Sequence, residues 1–436
     1  MIHENKLFDI EKFLSDEEEN EAFIIGGAGT GKTTILDKVT KELLTKGINF
    51  LVCAYTHKAK DILRKKLVSV NDESIVTLHS FLKKRPHINS EATTKDNVLI
   101  TITSGEPKPL NLLIVDECSF IGTRDYASIT DLYNISNIKV IFVGDFNQLE
   151  PVGDTRGIYP RGSYYTKLTK VYRQTEESDL YIYLNYLKET IEWAETNILS
   201  EYPLLKPTKS LKIVDDIVGA YMKDTLPSSS KMLLAYTNKK VQHYNAEVEG
   251  ITTPIVGSVV NIPSLKLYNV TITNIITEDT PKELLFGLVP TITLTTPRGE
   301  IDEYTKYNPL KTILAIKEVV LYEIDNSILV PAIFGSYTNK VYRDTLNTNL
   351  VTLNSSNSSK SKQAYKLLKT VSDFVSVMEF AHCITVHKAQ GSECANVYID
   401  YEDMRLNRDL LATTKLLYTA ISRATSKAII KQGELL

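Results

Sequence analysis

The sequence predicts an α/β fold: two domains of alternating strands and helices, with a β-rich insertion in the second. Short apolar runs alternate with amphipathic helical stretches over the first 150 residues. Such runs are typical of strands buried on both faces of a parallel sheet. The alternation stops near residue 250 and resumes after residue 375, so the second domain is expected to be discontinuous. The runs lie at residues 22–25, 50–54, 112–115 and 140–143, and again at 232–235, 383–386 and 397–399.

Two helices of the first domain can be placed together with their ends. The first covers residues 32–46 and stops at Gly47, because glycine readily takes the left-handed conformation that follows many helices. The second covers residues 57–67, with the hydroxyl of Thr56 as its N-terminal cap. The apolar face of the first helix is formed by Ile35, Leu36, Val39, Leu43 and Leu44.

Two segments interrupt this alternation. Residues 83–108 are polar and are expected to leave the first domain as an excursion. Residues 251–375 carry strand and turn signals, and within them the stretch NSSNSSKSK at 354–362 is expected to be a loop. The β-like pieces of the two segments lie at 98–103, 269–277 and 291–296.

Composition and charge narrow the class of protein. The 436 residues include 50 basic and 53 acidic side chains, a net charge of −3, so a polyanionic partner must be held by a local basic patch. The four cysteines are far apart and lack metal-ligand spacing, which predicts a reduced, intracellular protein. No run approaches the roughly 20 apolar residues that span a bilayer, and the acidic N-terminus does not resemble a signal peptide. We therefore expect a cytoplasmic protein without a membrane partner.

The sharpest motif is GGAGTGKT at residues 26–33, a full match to G-x-x-x-x-G-K-[ST] between an apolar run and an amphipathic helix. Its glycines let backbone N–H groups converge on phosphate oxygens at a helix N-terminus. Lys32 brings a positive charge to the β- and γ-phosphates, and Thr33 offers its hydroxyl to Mg²⁺. The predicted nucleotide site consists of Gly27, Ala28, Gly29, Thr30, Gly31, Lys32, Thr33 and Thr34.

Two adjacent carboxylates follow the apolar run at 112–115. Asp116 is placed to reach a metal ion through water, and Glu117 to orient or deprotonate the attacking water. An acidic pair at a strand end is often only solvated, but here it follows a strand of the same predicted sheet as the phosphate loop. The combination predicts hydrolysis of the nucleotide.

Further motifs resemble those of superfamily 1 DNA helicases in order and spacing. GDFNQLEPV at 144–152 resembles motif III, and TVHKAQG at 385–391 resembles motif V. AYTHKA at 54–59 is similar to motif Ia, TLHS at 77–80 to motif Ib, LTKVYR at 168–173 to motif IV, and YTAISRA at 418–424 to motif VI. The sequence of motif V resembles that of the RecD-like, 5′→3′ branch, and the chain as a whole resembles in particular the phage-type Dda helicases.

The resemblance implies ATP hydrolysis, with Mg²⁺, between two RecA-like P-loop domains. Gln148 would contact the γ-phosphate and couple it to the nucleic acid, while Arg173 and Arg423 would be arginine fingers from the second domain. Tyr172 would stack on the adenine; the alternative is that its side chain is an ordinary part of the apolar core. Residues 1–25 contain no glutamine, so the upstream motif with which many relatives read adenine is missing.

The resemblance also implies a path for single-stranded DNA. Hydroxyls and lysines hold phosphates, while histidines stack on bases or bond to them. For Thr56 the capping role remains the alternative, and both roles are compatible. The family positions along the strand map onto Thr56, His57, Thr77, His79, Thr385, His387 and Lys388.

The domain organisation implied is that of a monomeric helicase. Domain 1A would comprise residues 1–82 and 109–153, with a pin-bearing insertion 1B at 83–108. Domain 2A would comprise 154–250 and 376–436, with an SH3-like insertion 2B at 251–375.

The expected function is that of an ATP-dependent DNA helicase that moves 5′→3′ on single-stranded DNA and opens duplex. Single-stranded DNA, forked duplex and a single-strand-binding or replisome protein are the expected partners, in the cytoplasm of a bacterium or a phage-infected cell, for replication, recombination or repair. Two alternatives stay open: a P-loop switch that regulates partners, and an RNA-directed helicase. Motifs V and VI speak against the switch, which needs only one such domain.

Overall fold

The computed structural model describes most of the two α/β regions and part of the predicted insertions. The first α/β region is the part of the chain built on the sheet whose strands lie between residues 3 and 168, and the second is the part built on the sheet whose strands lie within 211–235 and 383–431. It divides the chain into two compact units, the larger made of Met1–His87, Ile100–Val241 and Ile384–Leu436, and the smaller of Ile88–Leu99 and Gln242–Cys383. The residues described are 3–4, 7–82, 84–87, 99–102, 110–136, 138–151, 153–171, 178–251, 254–262, 267–276, 320–325, 328–334 and 376–433.

Strands and helices alternate along most of the larger unit, and the described residues of both units form the following elements. The strands are β1 His3–Glu4, β2 Glu21–Gly26, β3 Phe50–Ala54, β4 Ile75–Thr77, β5 Lys84–His87, β6 Leu99–Ile102, β7 Leu112–Val115, β8 Lys139–Gly144, β9 Tyr165–Leu168, β10 Leu211–Val214, β11 Lys231–Ala235, β12 Val259–Ile262, β13 Leu267–Ile276, β14 Val320–Ile324, β15 Ile328–Phe334, β16 Ser376–Phe380, β17 Cys383–Thr385, β18 Cys394–Asp400 and β19 Ala424–Lys431. The α-helices are α1 Ile10–Ser15, α2 Lys32–Thr45, α3 His57–Lys66, α4 Leu78–Phe81, α5 Thr123–Ser136, α6 Asp179–Ala194, α7 Ile217–Lys223, α8 Asn238–Glu249, α9 Val386–Ala389, α10 Tyr401–Met404 and α11 Leu410–Ile421.

The first sheet has the strand order β1-β9-β2-β8-β7-β3-β4 in the described residues, and its neighbouring strands run parallel. Successive side chains of its central strands enter two different cores. In β2, Ile24 packs with Leu36 and Val39 of α2 on one face, while Phe23 packs with Phe142 on the other. Burial on both faces explains why these strands read as continuous apolar runs.

The second sheet has the strand order β10-β19-β18-β11-β17 in the described residues, with β10, β19, β18 and β11 parallel. Helices α6 and α11 pack against it, and Leu187, Ile191, Leu417 and Ile421 join its core. Because both sheets are parallel and lie in the same unit, the carboxyl ends of their strands can supply loops to a common site.

The smaller unit contains a closed barrel formed by β12 to β16. Neighbouring strands are antiparallel except for β15 and β16, which run parallel. Its apolar interior includes Val260, Ile272, Met378 and Phe380.

The predicted fold class, α/β with parallel sheets, is confirmed. The apolar runs of both sheets form strands, Thr56 caps α3, and Gly47, with a φ of 66°, follows the C-cap residue Lys46 of α2 as expected. One boundary is wrong: the predicted strand 383–386 ends at Thr385, because the Thr385 hydroxyl caps α9 and Val386 is already helical.

Several predicted segments fall outside the described residues, and the predicted domain boundaries are not tested by the structure. The strand at 291–296, the loop at 354–362 and most of the pin segment at 83–108 lie outside the described part, although β5 and β6 form a two-stranded sheet there. The four-part domain division remains a prediction. None of the helices in the described part of the chain has the length and apolarity needed to cross a bilayer.

Candidate nucleotide and nucleic-acid sites

The phosphate loop joins the end of β2 to the start of α2. Gly29 and Gly31 have φ angles of 76° and 84°, in the left-handed region that glycine enters without strain. Gly26 packs so closely that a Cβ atom there would lie 2.8 Å from Cβ of Leu168. The side chain of Lys32 folds over the loop, and its Nζ donates hydrogen bonds to the carbonyls of Gly26 at 2.7 Å and Gly27 at 2.8 Å.

The acidic pair lies directly after β7. Glu117 is a non-glycine residue with φ of 54°, a strained conformation that is often found at functional sites. Its Oε2 is buried and finds no hydrogen-bond partner among the described residues. Burial and the neighbouring Glu117 carboxylate raise the pKa of Asp116 to about 7. Two crowded, desolvated carboxylates form a site that favours a cation.

A single cavity of about 330 Å³ collects most of the predicted nucleotide residues. The loop residues Ala28 to Thr34 line it together with Asp116, Glu117 and Gln148. Gly391, Glu393 and Arg423, which belong to the second α/β region, complete the wall. The two α/β regions therefore share one cavity, and the phosphate loop forms part of its wall.

The donors around this cavity suit Mg²⁺. Magnesium prefers oxygen ligands and is usually held by one or two carboxylates together with phosphate oxygens and water. Asp116 and the hydroxyl of Thr33 are such donors, and both line the cavity. Thr33 and Asp116 would hold the ion, which would neutralise charge on the phosphates.

Arg423 lies just past the end of α11 and is buried. Its Nε donates to the carbonyl of Thr419 at 3.0 Å, and its Nη2 to Oγ of Ser422 at 2.8 Å. These contacts hold the guanidinium at the cavity wall. The other predicted finger, Arg173, and the neighbouring Tyr172 lie outside the described residues.

Gln148 is almost completely buried beside the fully buried Asp145. Nε2 of Gln148 donates to Oδ2 of Asp145 at 3.3 Å, and the same oxygen accepts a hydrogen bond from the hydroxyl of Tyr418 at 2.9 Å. Neither Asp145 nor Tyr418 was predicted as a site residue, although each belongs to one of the helicase-like motifs.

The residues of the first region that are predicted to bind DNA lie at the carboxyl ends of β3 and β4. The Thr56 hydroxyl caps α3, accepting from N–H of Ala59 at 3.1 Å, and the Thr77 hydroxyl caps α4, accepting from N–H of Ser80 at 3.3 Å. The ring of Tyr55 lies 5.0 Å from that of His79. The side chain of His57 lies outside the described part.

The predicted DNA residues of the second region form a matching arrangement. The Thr385 hydroxyl caps α9, accepting from N–H of Lys388 at 3.3 Å. The ring of Tyr236, just after β11, lies 6.2 Å from that of His387. β11 and β17 are neighbours in the second sheet, as β3 and β4 are in the first.

The two arrangements share a sequence signal that the motif reading missed. Ala-Tyr-Thr occurs at 54–56 and again at 235–237, and Thr-x-His occurs at 77–79 and again at 385–387. Like Thr56, Thr237 caps the helix after its strand, accepting from N–H of Lys240 at 3.2 Å. Comparing the two halves of the sequence would have found Tyr236 and Thr237. We call each set of two capping threonines, one tyrosine and one histidine a Thr/His cluster.

Two protein families and several relatives match the chain. An AAA domain family matches residues 10–195, and a UvrD-like helicase C-terminal domain family matches residues 380–430. The ATP-dependent RecD2 DNA helicase of Deinococcus radiodurans is 32% identical over 159 residues, 36% of this chain and 20% of that protein. The DNA helicase Dda of Enterobacteria phage T4 is 30% identical over 179 residues, 38% of each chain.

A solved structure is similar over the greater part of both chains. Pif1 helicase from Bacteroides, in complex with ADP-AlF3 and single-stranded DNA, gives a TM-score of 0.46 at 17% identity over 97% of this chain and 90% of that one. The chain spans well under half the length of the curated relatives it matches. The sequence matches confirm the resemblance to superfamily 1 helicases of the RecD and Dda type.

Proposed function

We propose that this chain, which resembles superfamily 1 helicases of the RecD and Dda type, is an ATP-dependent DNA helicase that moves 5′→3′ on single-stranded DNA and opens duplex. The observation that carries the proposal is the shared cavity. Lys32, Asp116, Glu117 and Gln148 enter it from the first α/β region, and Arg423 enters it from the second. A site divided in this way makes turnover depend on how the two regions approach each other.

The hydrolytic roles follow from charge and position. Lys32 and the loop N–H groups hold the β- and γ-phosphates, and Glu117 orients and deprotonates water. Arg423 stabilises the charge that develops on the transferred phosphoryl group, an effect worth about 10³–10⁵ in rate. Mg²⁺ held by Thr33 and Asp116 is the proposed cofactor, and Arg173 is proposed as a second finger.

The two Thr/His clusters are proposed as the grips on the strand. Each presents threonine hydroxyls, which can donate to phosphate oxygens, and a histidine ring suited to a base. Lys388, which follows His387, adds positive charge beside the second cluster, and His57, which follows Thr56 in the sequence, is proposed as a further DNA-binding residue of the first region. Since each region has its own cluster, closing and opening of the cavity would move one grip relative to the other, and alternating affinity would give net movement.

The free energy needed to open duplex DNA sets a lower bound on the free energy that each ATPase cycle must supply. Opening DNA costs on the order of 1.4 kcal/mol per stacked step, so each turnover must favour strand separation by at least that amount. We propose forked duplex as the substrate, a monomer as the working form, a replisome or single-strand-binding protein as a partner, and the bacterial cytoplasm as the compartment.

The test is the ATPase rate with and without oligonucleotide. Wild-type protein should hydrolyse ATP slowly alone and at least tenfold faster with single-stranded DNA, and the stimulation should fall as salt rises because phosphate contacts release counterions. Lys41→Ala, on the exposed side of the same helix as Lys32, is the matched control for Lys32→Ala. A rate unaffected by DNA would contradict the proposal, and stronger stimulation by RNA would assign the strand grip to RNA.

A further inference from the structure

The hydroxyl of Tyr418 connects the second α/β region to the phosphate loop. Tyr418 lies in α11 and is buried, and its hydroxyl accepts a hydrogen bond from N–H of Ala28 at 3.3 Å. The approach is close, because a Cβ atom at Gly27 would lie 3.1 Å from the same oxygen. None of the roles described above uses this side chain.

The same hydroxyl also reaches the residue that holds Gln148. It donates to Oδ2 of Asp145 at 2.9 Å, and that oxygen accepts from Nε2 of Gln148 at 3.3 Å. The second oxygen of Asp145 accepts from N–H of Asn147 at 3.1 Å. A buried carboxylate depends strongly on such bonds, since hydrogen bonds to a charged group are about twice as strong as neutral ones.

The position of Tyr418 in the chain links this network to the arginine finger. Tyr418 is in the last turn of α11, and Arg423 follows the end of that helix by two residues. A shift of α11 therefore moves the guanidinium and the tyrosine hydroxyl together. The hydroxyl contacts the phosphate loop and, through Asp145, the amide of Gln148.

We infer that Tyr418 is a positioning residue for hydrolysis: its hydroxyl sets Gln148 and the phosphate loop in place when α11 brings Arg423 to the cavity. This inference rests on the proposed function and adds to it the route by which closure of the two regions reaches Gln148. Tyr418 acts through Asp145 and Ala28 and needs no contact with the nucleotide.

Tyr418→Phe tests the inference because it removes only the hydroxyl. We expect kcat for ATP with saturating single-stranded DNA to fall about tenfold, the effect of losing one bond to a buried charge. KM for ATP and the affinity for a fluorescent oligonucleotide should change less than threefold. Asp145→Asn should lower kcat similarly, and the double variant should be no slower than the slower single variant, because both changes break one network.

Tyr401→Phe is the matched control. Tyr401 is buried in the core that also contains Tyr418, and its hydroxyl has no hydrogen-bond partner in the described part of the chain. The control should keep the wild-type kcat. Equal kcat in Tyr418→Phe and Tyr401→Phe would overturn the inference, and so would a rise in KM with unchanged kcat, which would indicate a purely structural bond. Loss of DNA stimulation in the wild type would refute the proposed function instead.

Discussion

Nζ of Lys415 lies 2.7 Å from Oε1 of Glu150, and the pair joins helix α11 to the segment that follows Gln148. The two partners differ in exposure: the side chain of Lys415 is 3% exposed, whereas that of Glu150 is 47% exposed. Arg156 also contacts Glu150, at 3.3 Å. One carboxylate at the surface thus compensates a lysine that is almost completely buried.

Substitution of Glu150 and substitution of Lys415 should lower the free energy of unfolding by different amounts. Glu150→Gln leaves the buried ammonium of Lys415 uncompensated and should lower the free energy of unfolding by about 1–3 kcal/mol, less than for a fully buried pair because Glu150 is half exposed. Lys415→Met replaces the charge by an apolar chain of similar length and should cost less. Urea unfolding of both variants measures the difference, and an equal loss would contradict this account.

The pair should also make stability depend on pH in the acid range. Although burial alone would raise the pKa of Glu150, the hydrogen bond and charge of Lys415 and the charge of Arg156 lower it below its ordinary value of 4.5. A lowered folded-state pKa stabilises the fold above about pH 4.5, and this contribution is lost as pH falls through the folded value. The stability lost by wild type between pH 5.5 and 3.5 should therefore be smaller in Glu150→Gln. An identical pH dependence would argue against the ion pair.

Arg423 should affect the rate of hydrolysis far more than nucleotide binding. Arg423→Ala should lower kcat with single-stranded DNA by about 10³ or more, because a guanidinium on the transferred phosphoryl group is worth that much. Arg423→Lys should recover only part of the rate, since lysine lacks the planar fork. Affinity for a fluorescent ATP analogue should stay within a few fold. Arg408→Ala, at an exposed position, is the control, and an equal loss in both variants would rule out a finger role for Arg423.

Thr56 should have two separable roles. Thr56→Val removes the cap of α3 and should lower the free energy of unfolding by about 1 kcal/mol, and it should also weaken binding of a fluorescent oligonucleotide. Thr56→Ser keeps a hydroxyl in place and should preserve both properties. If Thr56→Val destabilised the fold without any change in DNA affinity, the threonine would be a helix cap alone.

His387 of the second Thr/His cluster and the adjacent Lys388 should contribute differently to the salt dependence of DNA binding. Lys388→Ala should reduce the slope of log affinity against log salt concentration by about 0.7, the value for one phosphate contact on a single strand. Burial lowers the pKa of His387 below its ordinary value of 6.5, so the ring is neutral at pH 7.5 and His387→Gln should weaken binding without changing the slope. Lys427→Ala, at an exposed position of β19, should change neither.

Much of the fold could be predicted because its strands are buried on both faces. Runs such as Phe50–Ala54 and Leu112–Val115 are continuously apolar and coincide with β3 and β7. The strands that the sequence did not reveal are short or carry polar residues: β4 has three residues, and β9 alternates between buried and partly buried positions. Their pairing with neighbours, which is a long-range property, decides that they are strands.

The site was predictable where a motif fixes the local backbone, and less so where distant residues meet. Lys32, Asp116, Glu117, Gln148 and Arg423 were named from motifs, and the same cavity contains all five. The bonds of Tyr418 to Asp145 and Ala28 span 273 and 390 residues of sequence. No local pattern could reveal such contacts, because they depend on how the two sheets pack into one unit.

Strand separation on tailed duplexes tests most directly whether ATP turnover in the shared cavity drives 5′→3′ movement. A labelled duplex of about 20 base pairs with a 5′ single-stranded tail, one with a 3′ tail and one without a tail would be incubated with wild type or Lys32→Ala, ATP and Mg²⁺. Only wild type, and only on the 5′-tailed duplex, should release the labelled strand. Release from the 3′-tailed duplex alone would overturn the direction of movement, and equal release by Lys32→Ala would contradict a motor driven from the shared cavity.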